Sequence, residues 1–128
     1  MSASLIGPSP HKLMNLKITE FLNDLDLILG NLPDYVLFKQ SVKLMSSFDE
    51  SAVQRAFHRY IFIPCGDHII NENERFFMDS CKNKYDDVVI DFDLMRILKS
   101  KWIELSDCNK RAIWDHLQLL VVLNKRCL

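Results

Sequence analysis

Glycine and proline are scarce: the 128-residue chain has three of the first and four of the second. Turn-rich all-β folds, collagen-like repeats and disordered tracts need far more of both, so a helical domain is the expected class. Phosphate cradles built from backbone N–H groups also need glycine, and the chain has neither a P-loop nor a G-x-G-x-x-G turn. An excess of charge of one sign is missing too. The 16 Lys and Arg stand against 17 Asp and Glu, for a formal net charge of −1. Phosphate backbones require clustered cations, so no nucleic-acid partner is expected.

Long apolar runs are lacking as well. The longest, over residues 117–123, is broken by Gln118 and falls short of the ~18–20 residues that span a bilayer, so no membrane insertion is expected. The opening stretch MSASLIGPSPHKL has no basic segment followed by a long apolar one, and Ser2 stands where myristoylation needs glycine. Neither a secretory nor a lipid signal is read from it. Cys65, Cys81, Cys108 and Cys127 are spread without a framework spacing, which fits reduced thiols in a cytosol-like compartment better than disulfides.

What the chain does have is an apolar share of 48%, enough for one core at this length. The expectation is an all-α, single-domain bundle of five or six helices over residues 11–128, behind an extended arm over residues 1–10. Ser2, Ser4, Gly7, Pro8, Ser9 and Pro10 make the arm a turn-forming mixture. Met14, Ile18, Phe21, Leu22, Leu25, Ile28 and Leu29 then recur at helical period up to Gly30-Asn31. Pro33 opens a second helix with Phe38, Val42 and Met45 on one face. A third runs from about Glu50, capped by Asp49, to a break at Pro64-Cys65-Gly66. A fourth is expected from Asp67 to about Cys81, with a polar insert at 71–75, followed by a loop and the coil Val88-Val89-Ile90. Leu94, Met95, Leu98, Trp102 and Leu105 mark a fifth helix capped at Asp91 or Asp93, and Ser106-Asp107 starts a sixth that reaches about Lys125.

That last helix carries two apolar stripes, Ile113, Leu117, Leu120 and Val121 on one face and Ala112, His116, Leu119 and Leu123 on a neighbouring one. It is either central to the bundle or shows one stripe to another molecule. The expected core is Phe21, Leu25, Phe57, Phe77, Leu98, Trp102, Ile113, Leu117 and Leu120. Trp102 and Trp114 are large enough to anchor a core or an interface, and their spacing to Leu98, Leu105 and Leu117 favours the core.

Residues with catalytic or ligating chemistry do not form a convincing set. His58, Cys65, His68 and Cys81 are metal-ligand types, and Cys65-x-x-His68 is a spacing zinc accepts. A structural zinc site needs four ligands in tight pairs, however, so no metal is expected. Asp86, Asp87, Asp91 and Asp93 lack the order of a calcium loop and read as helix caps and solvated loop. No G-x-S-x-G elbow exists, and no cysteine has neighbours that would lower its pKa. The chain is read as a non-enzyme with no cofactor and no small-molecule substrate.

Three segments carry a resemblance: residues 70–77 (INENERFF), Ile90-Asp91-Phe92 leading to residues 101–106 (KWIELS), and residues 110–120 (KRAIWDHLQLL). They resemble a family of short all-α proteins encoded by nucleocytoplasmic large DNA viruses, with a weaker likeness over Phe21 to Pro33. The chain departs from that family at His116, usually aromatic there, and at Leu32-Pro33, usually Phe-Pro before an acid. The resemblance brings no active site. It implies a viral structural or interaction protein, a minor capsid or capsid-associated component of the virion; the alternative is an adaptor in the infected host cytoplasm. Its partners would be viral or host proteins, among them capsid proteins or further copies of itself. The residues expected at the contact are Pro8 and Pro10 of the arm with His116, Leu119 and Leu123 of the last helix.

Overall fold

The computed structural model describes residues 9–75 and 92–128, and every regular element among them is a helix. The arm up to Pro8, Phe77 of the expected core and the segment around Val88-Val89-Ile90 lie outside the described residues. The first helix, α1, spans Pro10–Leu29 and buries Met14, Ile18, Phe21, Leu22, Leu25 and Leu29, the stripe seen in the sequence. Its start corrects the boundary set at residue 10. Pro10 occupies the first helical position, where its missing N–H has no intrahelical acceptor to lose, and the Ser9 hydroxyl accepts the Lys12 N–H at 3.2 Å. Gly30 ends the helix with its N–H on the Asp26 carbonyl at 3.1 Å. A Cβ there would stand 2.5 Å from that carbonyl oxygen, so the tight exit requires glycine.

Helix α2, Pro33–Phe48, buries Tyr35, Phe38 and Val42. Tyr35 fastens it to α1, its hydroxyl proton directed between the Leu22 carbonyl at 2.6 Å and Asp26 Oδ1 at 2.8 Å. Lys39 donates to the other oxygen of the same carboxylate. Lys39 and then Tyr35 hold Asp26 below its usual range. Burial, and next the adjacent carboxylate, push the Tyr35 phenol well up.

The expected break at Pro64-Cys65-Gly66 is not there. Helix α3 (Ala52–Phe57) runs through a π turn (His58–Phe62) straight into α4 (Ile63–Ile70), with right-handed helical backbone at both junctions. In the π turn the Ile63 N–H bonds five residues back to the His58 carbonyl. This wider turn takes up the register that Pro64, without an N–H, cannot fill. Gly66 keeps the helix close to the Phe62 ring, which a Cβ would approach to 3.2 Å. The fourth helix expected from Asp67 to about Cys81 is corrected as well: α4 stops at Ile70, and Glu72 takes a left-handed φ of 50° that no helix continues through.

Helix α5, Leu94–Lys101, tightens into a 3-10 turn at Trp102–Glu104, and α6 spans Asp107–Arg126. The Ser106 hydroxyl caps α6 by accepting the Asn109 N–H at 3.1 Å. Asp93 precedes α5, but its carboxylate binds Arg96 at 2.7 and 2.9 Å instead of a backbone N–H. Helix α6 buries Ile113, Trp114, Leu117, Leu120, Val121, Leu123 and Asn124. It lies against α1, α4 and the π turn, while α2 packs on α3 and α5. Trp102 and Trp114 meet edge to face at 5.4 Å. Eight of the nine expected core residues are buried, and Phe77 is undescribed. The all-α single-domain bundle is the fold.

Two outcomes follow from this packing. Leu117→Ala should cost roughly 2–5 kcal/mol in chemical denaturation, against less than about 0.5 kcal/mol for Leu27→Ala at a side chain that is 90% exposed. The second concerns acid. The Ser51 N–H, the Arg55 guanidinium and the Ser51 hydroxyl hold Asp49 down at about 2 from 3.8. A depressed carboxylate supports folding above its ordinary pKa and ceases to as pH falls through the folded value. Stability should therefore fall between pH 3.8 and about 2, with a shallower slope at low salt in Asp49→Asn. Parallel denaturation curves for the two proteins would count against the assignment.

Candidate functional site

Among the described residues with metal-ligating chemistry, Cys65 and His68 differ in surroundings. Cys65 is buried, whereas His68, one turn on, has Nδ1 at 3.0 Å from the Asn73 amide. Asn71 and Asn73 are exposed, and the Asn73 N–H bonds the His68 carbonyl at 2.9 Å. Cys81, Asp86, Asp87 and Asp91 lie outside the described residues. Among the described residues no three His, Cys, Asp or Glu side chains converge, and no helix is long and apolar enough to cross a membrane.

His58 belongs to a different arrangement. Gln54 Nε2 donates to Asn124 Oδ1 at 2.9 Å, and Asn124 Nδ2 lies 3.1 Å from His58 Nδ1. His58 also stacks on Phe62 with ring centroids 5.2 Å apart. Gln54 and Asn124 are the buried polar side chains among the described residues. Two amides in sequence neither give nor take a proton near neutrality, so this chain of contacts fixes α3 and the π turn against α6. The sequence signal for it is Asn124 itself, which falls four residues after Leu120 and seven after Leu117 on the core stripe.

Surface depressions among the described residues include the following two. One of about 380 Å³ lies beside α4, with Phe62, Pro64 and Ile70 next to Asp67, His68 and Lys125. The other, about 320 Å³, runs between α1 and α2 over Leu22 and Val42, edged by Thr19, Lys39, Lys43 and Ser46. In the first, His68 Nδ1 lies against the Asn73 amide, and in the second Lys39 is engaged with Asp26.

The residues expected at a protein contact are divided by the structure. Leu119 is 39% exposed but Leu123 only 3%, which corrects the outer stripe that joined them. Leu123 closes the core because α6 buries about half its circumference. His116 turns inward, stacked on Phe21 at 4.7 Å with Nε2 at 2.8 Å from Asp24 Oδ2, so its ring and one nitrogen serve the α1–α6 contact. Pro10 is exposed at the start of α1, and Pro8 is outside the described residues.

An exposed apolar stripe lies on α2, where Leu37, Leu44 and Phe48 are 61%, 59% and 81% exposed. These residues stand at i, i+7 and i+11, a stripe of helical period on the side away from Tyr35, Phe38 and Val42. In the sequence, Phe38, Val42 and Met45 set the dominant apolar period of this helix and mask the outer stripe. Val36, 40% exposed, borders it. Set against family models, curated proteins and solved structures, the chain matches none.

Removing one member of the buried amide chain tests its structural role. Asn124→Ala strands the Gln54 amide and should cost roughly 1–3 kcal/mol. Gln54→Ala combined with Asn124→Ala should cost less than the two single changes added together, as a double-mutant cycle in denaturant will show.

Proposed function

We propose that this chain works through protein contact, as a structural or interaction protein without catalysis of its own, and that the outer face of α2 is its contact surface. The observation that carries the reading is the double-faced helix. Tyr35, Phe38 and Val42 hold α2 to the bundle while Leu37, Leu44 and Phe48 face solvent. Water gains nothing from such a stripe, and covering it returns about 25 cal/mol for each Å² removed from solvent. The resemblance to short proteins of nucleocytoplasmic large DNA viruses gives the proposal its form, a minor capsid or capsid-associated component of the virion. An adaptor in the infected cytoplasm is the second reading. It is favoured by the single stripe of Leu37, Leu44 and Phe48 on α2, since a single partner needs a single face.

The test joins Leu44→Glu to Phe48→Glu. Both side chains are largely exposed, so the variant should melt within a few degrees of wild type. Wild-type protein should be recovered in purified particles at a fixed ratio to the coat protein, and the double variant should be lost from them. Normal incorporation of the variant would remove α2 from the contact. Wild type found only in lysate, bound to a partner through α2, would replace the particle reading with the adaptor.

A further inference from the structure

We infer that the polar chain between α3 and α6 is a two-state element set by a proton: a proton bound at His58 Nδ1 reverses the side-chain amides of Asn124 and Gln54. The chain has a direction. Gln54 Nε2 donates to Asn124 Oδ1 at 2.9 Å, which leaves Asn124 Nδ2 as the atom 3.1 Å from His58 Nδ1. An amide nitrogen can only donate, so His58 Nδ1 presents a lone pair and the neutral ring carries its hydrogen on Nε2. A second ring proton, taken from water, goes to Nδ1. Two donors then face each other. Asn124 is 0% and Gln54 5% exposed, so neither amide can turn to water, and a buried donor aimed at a donor is costly.

Both amides carry the remedy. Half a turn about the last side-chain bond of Asn124 sets Oδ1 against the new Nδ1–H and Nδ2 against Gln54. The same turn in Gln54 offers Oε1 to that Nδ2. Nothing is lost at the far end, because Gln54 Oε1 has no hydrogen-bond partner among the described residues. The reversed chain ends on a charge-assisted bond, stronger than the neutral one it replaces. The Phe62 ring, stacked on His58 with centroids 5.2 Å apart, also receives the cation on its face.

Among the described residues, none of the charged or titratable side chains on the surrounding elements bonds to the ring. On its own segment Arg55 is held by Asp49 and Ser51, and Arg59 lies over the Tyr60 ring. On α4, Cys65 is buried, Asp67 is exposed and His68 has Nδ1 on the Asn73 amide. On α6, Lys125 and Arg126 are exposed and Cys127 is half-buried. The Asn124 amide is therefore what answers the proton. The change is one of direction rather than place: α6 stays docked while two buried amides carry the state of a half-buried imidazole into the core.

Nitrogen-15 NMR of the full chain from about pH 8 to about pH 5, where an imidazole changes charge, reads each step. At the upper end His58 should show an unprotonated Nδ1 with a scalar coupling through the hydrogen bond from Asn124 Nδ2. On acidification that coupling should vanish and an Nδ1–H signal protected from exchange with water should replace it. The side-chain amide signals of Asn124 and Gln54 should shift with the midpoint of the His58 ring. In His58→Gln both amide signals should stay fixed over the same range. A hydrogen on Nδ1 at the upper end, or amide signals that move equally in His58→Gln, would overturn the proposal. An Nδ1–H that exchanges too fast to be seen in acid would overturn the reversal, since the contact has then opened. The wild-type coupling and Nδ1–H signal decide the matter even where His58→Gln does not fold.

Discussion

Helix α6 has to hide apolar side chains around about half its circumference, from Leu123 on one flank through Leu117 to Trp114 on the other. No single neighbour covers such an arc, so α1, α4 and the π turn must all lie against it. The remaining contacts are ordered around that demand. Phe21 reaches α6 from α1 and stacks on His116, Trp102 reaches it from the 3-10 turn and meets Trp114, and Gln54 reaches it from α3 to bond Asn124. The polar contact matters for alignment more than for energy. An amide pair in a dry core has few acceptable geometries, so it selects the rotation of α3 that presents Val53, Phe57 and Ile61 to the core.

The π turn is the local solution to a conflict within one segment. Residues 52–70 must stay helical to keep Val53, Phe57, Ile61, Cys65 and Ile69 on a buried face, yet Pro64 sits in the middle of them. A proline in a regular helix interior removes a hydrogen bond and collides with the preceding turn, at roughly 3 kcal/mol or more. Widening the turn at His58–Phe62 lets the helix pass the proline without ending. The same widening sets His58 where it meets both Phe62 and Asn124.

That conflict explains what could and could not be read in advance. Period was legible wherever apolar residues recurred at helical spacing: α1, the buried side of α2, α5 and α6 followed from the spacing of Leu, Ile, Phe and Trp. Caps at Ser9 and Ser106 lie where a hydroxyl precedes a periodic run, although the arm as drawn took in Pro10 and hid the first. Pro64-Cys65-Gly66 misled, because proline and glycine together mark a turn in most chains and nothing local announces a π turn. The end of α4 was hidden by the apolar residues of the next segment, which continued the apparent period past Glu72. For the contact surface, the excess of leucine on α6 was visible, but which leucine faces out depends on how many neighbours α6 has. Leu123 lies at the edge of the buried arc and Leu119 just beyond it.

Helix α2 is held by another kind of anchor, and this separates folding from contact. Its buried face is short, with Tyr35, Phe38 and Val42, and the Tyr35 hydroxyl, Asp26 and Lys39 join it to α1 through a compact polar cluster. Phe38 adds an edge-to-face contact with Phe92 at 5.0 Å, tying the same side of the helix to the chain before α5. None of these interactions draws on Leu37, Leu44 or Phe48. A helix fixed so completely by one face leaves its other face free of any duty in the fold, and apolar residues there lower solubility without adding to the stability of the single chain. The bundle would be better served by glutamate or lysine at these positions. The two faces of α2 thus differ in what they do for the fold: Tyr35, Phe38 and Val42 hold the helix, and Leu37, Leu44 and Phe48 stay in solvent.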